Sequence, residues 1–333
     1  MVTQMWPSET DPDLGTFLVP LRRELVALGH EVEVAALSRR GGPPWKYVGL
    51  AGDAVRAARR FRPDVVFAHF LFPAGAAGLA AARAAGGVPL VVMAHGQDVA
   101  NLDRVAVRRL TGVVVRGAAA VIANSRWLAG RLEAQLPGVR CEVVDLGVDL
   151  AQFAPGVVEP APWPGERPRF LCVGSLIERK NVAGLADAFA TFGRGSLAFV
   201  GDGPLRGSLE GRPGVTVVGR VPHDEVRAWI EACDVLCQPS FLEPFGLATL
   251  EAMALARSVV ATTEGGPPEF VTPEAGVLVA PGDQAALVAA LGAAAALPSP
   301  NAAARVAAAR HDASRQAARM AEILAAAVAA RGA

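Results

Sequence analysis

Runs of valine, isoleucine and leucine alternate with alanine-rich stretches along the whole chain. Near-continuous apolar runs are typical of parallel strands buried on both faces, and the alanine-rich stretches have helical length and end at glycine or proline. In the first half, the pattern predicts strands at 31–37, 65–68, 90–94, 120–123 and 142–144. It predicts helices at 17–28, 49–61, 75–85 and 125–136. The first half is therefore expected to be an α/β domain.

A stretch rich in proline and glycine, 154–168, interrupts the alternation, which then starts again. The second half carries predicted strands at 169–173, 197–201, 215–219, 235–238, 258–262 and 276–279. We therefore expect an α/β protein of two tandem Rossmann-like, doubly wound parallel sheets, whose C-terminal strand edges face an interdomain cleft. The expected boundaries are 1–150 for the first domain, 151–168 for a linker and 169–310 for the second domain.

The two ends of the chain depart from this scheme. Only residues 1–5 precede a loop at 6–15, so either the first strand is short or the chain starts downstream of its natural beginning. At the other end, the pattern of 301–330 places apolar side chains at three- and four-residue spacing, among them Met320 and Ile323, which gives a helix an apolar face. We expect this C-terminal helix, 311–333, to pack back on the first domain while 154–168 acts as a hinge.

Composition narrows the class of protein. The chain has 333 residues, more than one ordinary domain, and 52% of them are hydrophobic, so membrane helices must be considered. The stretch 285–297 is too short to span a bilayer and 110–123 carries Arg116, and the first residues lack a secretory signal, so we expect a cytoplasmic protein. Lysine plus arginine equal aspartate plus glutamate at 32 each, which argues against nucleic acid as a partner.

The charge balance conceals a slightly basic first half, with arginine clusters at 22–23, 56–62 and 104–109. Solvated helix faces are the ordinary explanation, and contact with an anionic membrane surface or acceptor is the alternative. The four cysteines lie in apolar, strand-like runs. Because Cys233 and Cys237 are the only close pair, buried free thiols are favoured over disulfides or a zinc site.

The most informative segment is 239–254, Pro-Ser-Phe-Leu-Glu-Pro-Phe-Gly-Leu-Ala-Thr-Leu-Glu-Ala-Met-Ala. A strand ends before it, a loop carries Glu243, and a helix begins near Gly246, so the free backbone N–H groups of Gly246 and Leu247 form an anion site. Glu251 lies inside the helix among apolar residues, where a carboxylate needs partners such as the hydroxyls of a ribose. The structural alternatives are a turn acid for Glu243 and an exposed helix residue for Glu251.

Two glutamates with seven residues between them, in a strand–loop–helix setting, resemble the retaining family 4 glycosyltransferases of the GT-B fold. Further short motifs follow in the family's order over nearly the whole chain: Asp13-Leu-Gly-Thr-Phe17, His95-Gly-Gln-Asp98, Asn124-Ser125, Gly147-Val-Asp149, Val173-Gly174 with Lys180, Gly201-Asp-Gly-Pro204 and Gly265-Gly266. None of these motifs is specific alone, but the ordered set is. The resemblance implies an acceptor-side first domain and a second domain that binds a nucleotide sugar.

The resemblance also implies roles for individual residues. Glu243 would contact the donor sugar hydroxyls beside the reacting carbon, and Glu251 would bind the ribose hydroxyls. Lys180 would neutralise the diphosphate as the leaving group departs. His95, which follows a predicted strand, would lie by the donor sugar and orient it. Gly15 would let the chain pass close to the diphosphate, because glycine lacks a Cβ and tolerates a positive φ.

Ser175 is a departure from the family, which usually has arginine directly after the glycine of Val-Gly. We place Ser175 and Arg179 at the donor site, where Arg179 would replace the missing cation if its loop turned it inward; an exposed arginine is the alternative. His69, at another strand end, is a weaker candidate for the acceptor side and is more simply structural. Asp11 and Asp13 have the spacing of a metal-binding pair but lie in a loop without further ligands, so we expect no metal.

The sequence thus predicts an enzyme that moves a hexose from a UDP- or GDP-linked sugar to a hydroxyl of a carbohydrate, lipid-linked or small-molecule acceptor, with retention of the anomeric configuration. No cofactor beyond the donor is expected, and peripheral membrane contact would come through the basic first domain. Two alternatives stay open: a nucleotide-sugar 2-epimerase of the same architecture, and a non-catalytic partner subunit with a degenerate site. The loops 41–47 and 99–109, which would bind the acceptor, carry no readable motif.

Overall fold

The structure is a computed structural model that describes residues 1–39 and 41–332. The chain folds into two compact units: one comprises Met1–Gly147 together with the segment that begins at Ala313, and the other comprises Val148–Asp312. The chain therefore passes between the units twice, at 147–148 and at 312–313. Ala333, which ends the expected C-terminal segment, lies outside the described residues.

The first unit is built on a six-stranded parallel sheet. Its strands are β1 (Val2–Thr3), β2 (Ala35–Ala36), β3 (Val66–His69), β4 (Leu90–Ala94), β5 (Ala120–Ala123) and β6 (Cys141–Val143). Its helices are α1 (Leu18–Ala27), α2 (Lys46–Phe61), α3 (Ala74–Ala84), α4 (Gln97–Ala100), α5 (Val105–Arg116), α6 (Arg126–Gln135) and, from the end of the chain, α13 (Ala313–Gly332). The strand order is β2-β1-β3-β4-β5-β6. It reverses between β1 and β3, and such a switch point is where open α/β sheets bind ligands.

The first strand is short. β1 contains two residues, pairs with β2 on one side and with β3 on the other, and thus lies inside the sheet. β2 covers only Ala35–Ala36 rather than the predicted 31–37, because β1 is its partner in the sheet and offers two residues to pair with.

The second unit is also built on a six-stranded parallel sheet. Its strands are β7 (Arg169–Val173), β8 (Ser196–Val200), β9 (Val215–Gly219), β10 (Val235–Gln238), β11 (Ser258–Thr262) and β12 (Gly276–Val279). Its helices are α7 (Val182–Phe192), α8 (Arg206–Leu209), α9 (His223–Ala232), α10 (Leu247–Ala254), α11 (Gln284–Ala295) and α12 (Ala302–Ala308). The strand order, β12-β11-β10-β7-β8-β9, is that of a Rossmann sheet, with its switch point between β7 and β10.

Each unit has its own hydrophobic core. In the second unit, β8 and β11 are buried along their whole length, which explains their continuous apolar sequence. Cys172, Cys233 and Cys237 are buried free thiols, as the sequence indicates, whereas Cys141 is a free thiol that is only half-buried. Burial raises the pKa of Cys172 and of Cys233 to about 12, so both thiols stay protonated and serve as packing residues.

The two apolar stretches that were considered as membrane helices form ordinary elements of the two units. The stretch 110–123 is divided between the end of α5 and strand β5, and 285–297 forms most of α11, which packs against α7 and buries Leu287 and Leu291. Among the described residues, no helix is both long enough and apolar enough to cross a bilayer.

Three helical segments differ from the sequence prediction. Helix α2 begins at Lys46, inside the stretch 41–47 that the sequence predicts as a loop. The stretch 99–109, taken as a loop, contains the end of α4 and the start of α5. Helix α5 is amphipathic, since Val114 and Val115 are buried whereas Val113 and Arg116 are exposed. The single helix predicted over 301–330 is in fact two, because α12 ends at Ala308 and a turn separates it from α13.

Helix α13 belongs to the first unit, where it packs against α1 and buries Met320 and Ile323. Its first turns are held by polar contacts as well: the Gln316 side-chain oxygen accepts a hydrogen bond from Gly147 N at 2.9 Å. The last helix thus completes the unit in which the chain began.

The proline- and glycine-rich segment 154–168 lies in the second unit. Ala161 N donates to Ala228 O at 2.9 Å, and Trp163 Nε1 donates to Ser196 Oγ at 2.7 Å. The Trp163 ring also lies 5.7 Å from the ring of Trp229. The second half of this segment is therefore fixed to the body of the second unit.

Candidate functional site

The candidate residues of the second unit follow β7 and β10, the strands at its switch point. After β7 the chain turns through Gly174, whose φ of +135° favours glycine. The loop after β8 approaches so closely that a Cβ on Gly201 would lie 1.9 Å from the Gly174 carbonyl oxygen. A 3₁₀ turn, Glu178–Lys180, then places Lys180 Cε 3.9 Å from where a Cβ of Gly174 would be. Glycine at 201 thus lets the loops after β7 and β8 pack closely, and Lys180 lies beside this turn.

Glu243, in the loop after β10, is fixed by backbone pairing. Its N–H donates to Glu264 O at 3.0 Å, and its carbonyl accepts from Gly266 N at 3.0 Å. These bonds belong to a parallel bridge between Glu243 and Gly265. Gly265 has a φ of +127°, and a Cβ there would lie 1.9 Å from Glu243 O. The pair Gly265-Gly266 therefore anchors the loop that carries Glu243.

Lys180 and Glu243 form an ion pair, with 2.5 Å between Nζ and Oε2. The two side chains are 16% and 11% exposed, so this is a largely buried pair. Ser240 Oγ donates to the same carboxylate oxygen at 3.2 Å. Burial would raise the pKa of Glu243, but the charges of Lys180 and Arg179 and these hydrogen bonds together hold that pKa below its ordinary value. Glu243 is therefore ionised at neutral pH.

Arg179 is turned towards the same loop rather than out into solvent. Its Nη1 donates to Leu242 O at 2.8 Å, and its own carbonyl accepts from Phe241 N at 2.9 Å. Ser175, at the position where the family usually has arginine, is exposed. A second cation thus lies near Glu243, held by the loop that carries the carboxylate.

Helix α10 begins beside Glu243. Gly246 caps it with a φ of +100°, and a Cβ on Gly246 would lie 3.5 Å from Glu243 Cγ. Leu247, the first helical residue, is half-buried. Free N–H groups at a helix start attract anions, so this end of α10 can hold negative charge.

Glu251, on the same helix, is only 6% exposed, which excludes the alternative of an exposed helix residue. Burial raises the pKa of Glu251 to about 8. Its carboxyl group is therefore mostly protonated at neutral pH, in contrast to that of Glu243. At neutral pH the loop glutamate, Glu243, is thus ionised, and the helix glutamate, Glu251, is mostly neutral.

The first unit contributes Gly15, which lies in the loop between β1 and α1. Its φ is +70°, and a Cβ there would lie 2.6 Å from the carbonyl oxygen of Met5. The loop's close approach to its own backbone therefore requires glycine here, apart from any ligand that passes nearby.

His95 directly follows β4 and contacts His69, the last residue of β3, with 3.1 Å between His95 Nε2 and His69 Nδ1. The rings of Phe17 and Phe70 lie 5.0 and 4.6 Å from the His95 ring. Burial lowers the pKa of His95 to about 3 and takes the pKa of His69 well below its ordinary value. Both imidazoles are therefore neutral at pH 7.

Asp98 fixes the loop that carries His95. Its Oδ1 accepts hydrogen bonds from the backbone N–H groups of His95 at 3.1 Å, Gly96 at 2.9 Å and Val99 at 3.2 Å, and its Oδ2 accepts one from Leu71 at 2.9 Å. The side chain is buried, and this burial raises the pKa of Asp98 although the N–H groups lower it. One carboxyl group thus joins the loops after β3 and β4.

Sequence reasoning singled out Lys180, Glu243 and Glu251 but gave no role to Ser240 or Asp98. The signal for Asp98 is its position in His95-Gly-Gln-Asp98, because aspartate side chains often accept hydrogen bonds from nearby backbone N–H groups in turns. Ser240 carries no such signal; its contact with Glu243 depends on how the loop folds.

The part of the chain that the structure describes holds no group of three or more histidine, cysteine, aspartate or glutamate residues that could bind a metal ion. At the second unit's site, the carboxylate of Glu243 already has a cationic partner in Lys180.

Comparison with known proteins assigns both halves of the chain. Residues 14–152 match the family model described as Glycosyltransferase Family 4, and residues 167–296 match the model described as Glycosyl transferases group 1. The 2-deoxystreptamine glucosyltransferase of Streptomyces kanamyceticus is 32% identical over 275 residues, which cover 71% of this chain and 69% of that protein. The chain belongs to the family 4 glycosyltransferases.

A second relative is an uncharacterised glycosyltransferase, MJ1178, of Methanocaldococcus jannaschii. It is 27% identical over 215 residues, which cover 62% of this chain and 58% of that protein. The chain therefore spans less than two thirds of the length of this relative.

Solved structures show the fold. Sucrose-phosphate synthase from Thermosynechococcus elongatus matches with a TM-score of 0.77 at 21% identity, covering 95% of this chain and 93% of that one. Anabaena HepE in complex with UDP-glucose matches with a TM-score of 0.69 at 23% identity, covering 92% and 88%. With two six-stranded parallel sheets and these neighbours, the family 4 protein has the predicted GT-B fold class.

Proposed function

We propose that this protein transfers a hexose from a nucleoside diphosphate sugar to an acceptor hydroxyl, with retention of the anomeric configuration. The observation that carries the proposal is the buried ion pair of Lys180 and Glu243. It lies at the switch point of the second sheet, beside the start of α10. One edge of the sheet thus carries a lysine and free backbone N–H groups, which suit a diphosphate, and an ionised carboxylate, which suits sugar hydroxyls.

The nucleotide part of the donor is assigned to the second unit. The N–H groups of Gly246 and Leu247, together with Lys180, would hold the diphosphate, and Glu251 would accept hydrogen bonds from the ribose hydroxyls. Hydroxyl donors stabilise an ionised carboxylate, so ribose binding would lower the raised pKa of Glu251. UDP is the first candidate, because HepE is described in complex with UDP and with UDP-glucose, and GDP is the second.

The sugar transfer itself would depend on charge. Lys180 would stabilise the negative charge that grows on the diphosphate as the bond to the sugar breaks. Contact with the diphosphate would weaken the pairing of Lys180 with Glu243, whose carboxylate could then accept hydrogen bonds from sugar hydroxyls. Because Glu243 is assigned to the sugar hydroxyls, we assign no carboxylate of the site as a covalent nucleophile. We propose instead that the acceptor hydroxyl attacks from the side on which the diphosphate departs. Its oxygen bonds to the anomeric carbon as the bond to the diphosphate breaks, and its proton passes to the departing diphosphate oxygen, so the configuration is retained.

Arg179 would supply part of the positive charge that is missing because position 175 is serine and not arginine. Arg179 supplies positive charge near Glu243, and its guanidinium is bound to Leu242 O. We assign Arg179 to supporting the loop and its electrostatic field, and Ser175 to a hydroxyl contact with the diphosphate. His95, in the first unit, is assigned to orienting the donor sugar.

A first experiment tests donor binding. The melting temperature of the protein is measured with UDP-, GDP-, ADP- and TDP-linked sugars, since a ligand that binds the folded state raises it by mass action. We expect one nucleotide class to stabilise the protein, with UDP first. Glu251→Ala should weaken binding of the matching nucleoside diphosphate by about 1–3 kcal/mol in a calorimetric titration. Unchanged affinity would remove Glu251 from the site.

A second experiment tests the reaction. The donor so identified is incubated with the enzyme and a panel of sugar and lipid-linked hydroxyl acceptors, and the product is analysed by NMR. A glycoside with the donor's anomeric configuration is expected. An inverted product would refute retention, an epimerised sugar nucleotide would favour the 2-epimerase alternative, and neither transfer nor donor hydrolysis would favour a non-catalytic partner subunit.

Contact with a membrane is proposed for the first unit. On α5, Val105, Leu110 and Val113 are exposed beside exposed arginines, and this combination suits an interface that is apolar and anionic. Co-sedimentation with vesicles that contain phosphatidylglycerol should exceed that with phosphatidylcholine alone, and Arg108→Glu with Arg109→Glu should abolish the difference. Equal sedimentation of both proteins would leave the arginines as ordinary solvated residues.

A further inference from the structure

The contact between His69 and His95 gives His69 more than a packing role. The two residues come from neighbouring strands, since His69 ends β3 and His95 follows β4. His69 is fully buried, with the Phe67 ring 4.3 Å from its own, whereas His95 is partly exposed. His69 Nδ1 and His95 Nε2 are 3.1 Å apart, which is hydrogen-bond distance, so one ring donates a proton and the other accepts it.

The second nitrogen of His69 decides which ring donates. His69 Nε2 is buried and has no hydrogen-bond partner. If His95 donated, the proton of neutral His69 would lie on Nε2, as a buried N–H without an acceptor. If His69 donates from Nδ1, the unpartnered Nε2 is only a lone pair. A buried N–H group without an acceptor is rarer and less tolerated than a buried nitrogen lone pair without a donor. His69 is therefore assigned as the donor.

The tautomer of His95 follows from this choice. Because its Nε2 accepts from His69, a neutral His95 carries its proton on Nδ1. The Phe17 and Phe70 rings contact the His95 ring and hold its plane, and Asp98 fixes its backbone N–H. The nitrogen left for a ligand is then a hydrogen-bond donor, Nδ1–H.

We propose that His69 is a positioning residue that donates its Nδ1 proton to His95 Nε2 and so makes His95 a neutral Nδ1–H donor towards a hydroxyl oxygen of the donor sugar. The assignment of the sugar as the recipient rests on the proposed function. The tautomer and its dependence on His69 rest on the contact between the two rings alone.

The first test therefore needs no activity. Long-range ¹H–¹⁵N correlation spectra of histidine-labelled protein distinguish the two neutral tautomers, and His95→Gln identifies the signals of His95. We expect His95 in the Nδ1–H form in the native protein and a change towards the Nε2–H form or a mixture in His69→Leu. Native His95 in the Nε2–H form would overturn the proposal, whether or not the protein transfers sugar.

The second test measures donor turnover. His69→Leu should lower kcat by about tenfold with little change in KM, because one oriented hydrogen bond is lost. His69→Asn, whose amide can donate from the position of Nδ1, should recover most of kcat. His30→Leu, a matched change of an exposed histidine in the same unit, should have no effect. Equal losses in the Leu and Asn variants, in step with their melting temperatures, would show a merely structural role.

The two tests separate two failures. If the native protein shows the Nδ1–H tautomer but turns over no donor sugar, the proposed function fails and the role of His69 towards His95 stands. If the native protein is active and His69→Leu matches it in kcat, the proposed function stands and the positioning role is overturned.

Discussion

At the scale of single residues, the raised pKa of Glu251 makes stability depend on pH. The folded pKa is about 8 against an ordinary value of 4.5, so the unfolded chain loses this proton first. The stabilising contribution is therefore complete below about pH 4.5 and is lost as pH rises through 8. Between pH 5 and pH 9 the free energy of unfolding of the second unit should fall by roughly 2–4 kcal/mol from this group.

Urea unfolding at a series of pH values, with the wild type and Glu251→Gln, measures this effect. The amide cannot ionise, so the variant should lose most of this decline between about pH 5 and pH 8. Glu274→Gln, a change at an exposed glutamate of the same unit, is the control and should keep the wild-type slope. Parallel slopes for wild type and Glu251→Gln would mean that Glu251 titrates near its ordinary pKa.

The pair of Lys180 and Glu243 yields a second prediction. Lys180→Met should lower turnover by more than about a hundredfold, because one donor aimed at growing negative charge contributes roughly 3–4 kcal/mol. It should also destabilise the fold by about 3–5 kcal/mol, since it leaves the Glu243 carboxylate buried without its cation.

A double variant separates these two effects. Adding Glu243→Gln removes the unpaired charge and should restore much of the stability but none of the turnover. Unfolding and rate measurements on the two single variants and the double variant complete the cycle. Near-normal turnover in Lys180→Met would instead assign the diphosphate to Arg179 or to the start of α10.

The sequence shows which single residues are chemically unusual, but it does not show which residues they contact in the fold. A glutamate inside an apolar helical run marks Glu251 as unusual, because burial of a carboxyl group must be compensated. The ion pair joins positions 63 residues apart in sequence, and no local pattern encodes that distance. The same holds for the contact of His69 with His95, which forms because β3 and β4 are neighbours in the sheet.

At the scale of elements, most strands were predictable, including β9 and β12 at the edges of the second sheet, whereas β2 at an edge of the first sheet was not. β4, β5, β7, β9, β10, β11 and β12 have the predicted bounds, since a continuous apolar run is required wherever helices cover both faces. β2 is shorter than predicted because its length depends on its partner β1. The start of α5 was missed because Val105, Arg108 and Arg109 are exposed there, so the first turns lack the buried apolar stripe that the rest of the helix has.

The loop after β11 allows a prediction at this scale. Gly265→Ala would place a Cβ 1.9 Å from Glu243 O in a residue whose φ is +127°, so the bridge between the two residues must break. We expect destabilisation by more than about 2 kcal/mol and weaker nucleotide binding, because Glu243 and the start of α10 lose their support. Urea unfolding and calorimetric titration measure the two effects.

Gly207→Ala is the matched control for this substitution. Gly207 lies in α8 of the same unit, is exposed, and has nothing within 4 Å of where a Cβ would be. Its replacement should leave nucleotide binding unchanged and stability unchanged or slightly higher. If Gly265→Ala behaved in the same way, the bridge would not be what fixes Glu243.

At the scale of the whole molecule, the path of the chain determines which unit covers the last helix. The apolar face of the last helix, with Met320 and Ile323, indicates that this helix must be covered. The unit that covers it is determined by contacts between distant parts of the chain, such as Gln316 with Gly147 and α13 with α1. Because the chain crosses twice, the second unit is an insertion between two parts of the first.

The last prediction follows from this insertion. Met320 is fully buried in α13, so Met320→Ala should destabilise the first unit by about 2–5 kcal/mol through lost burial and a cavity. Hydrogen exchange followed by mass spectrometry should show faster exchange in α1 and α13, while β7, β10 and α10 keep their protection. Val328→Ala, on the same helix but 36% exposed, should have a much smaller effect. Faster exchange of equal size in both units would mean that the two unfold as one cooperative body, in spite of their separate cores.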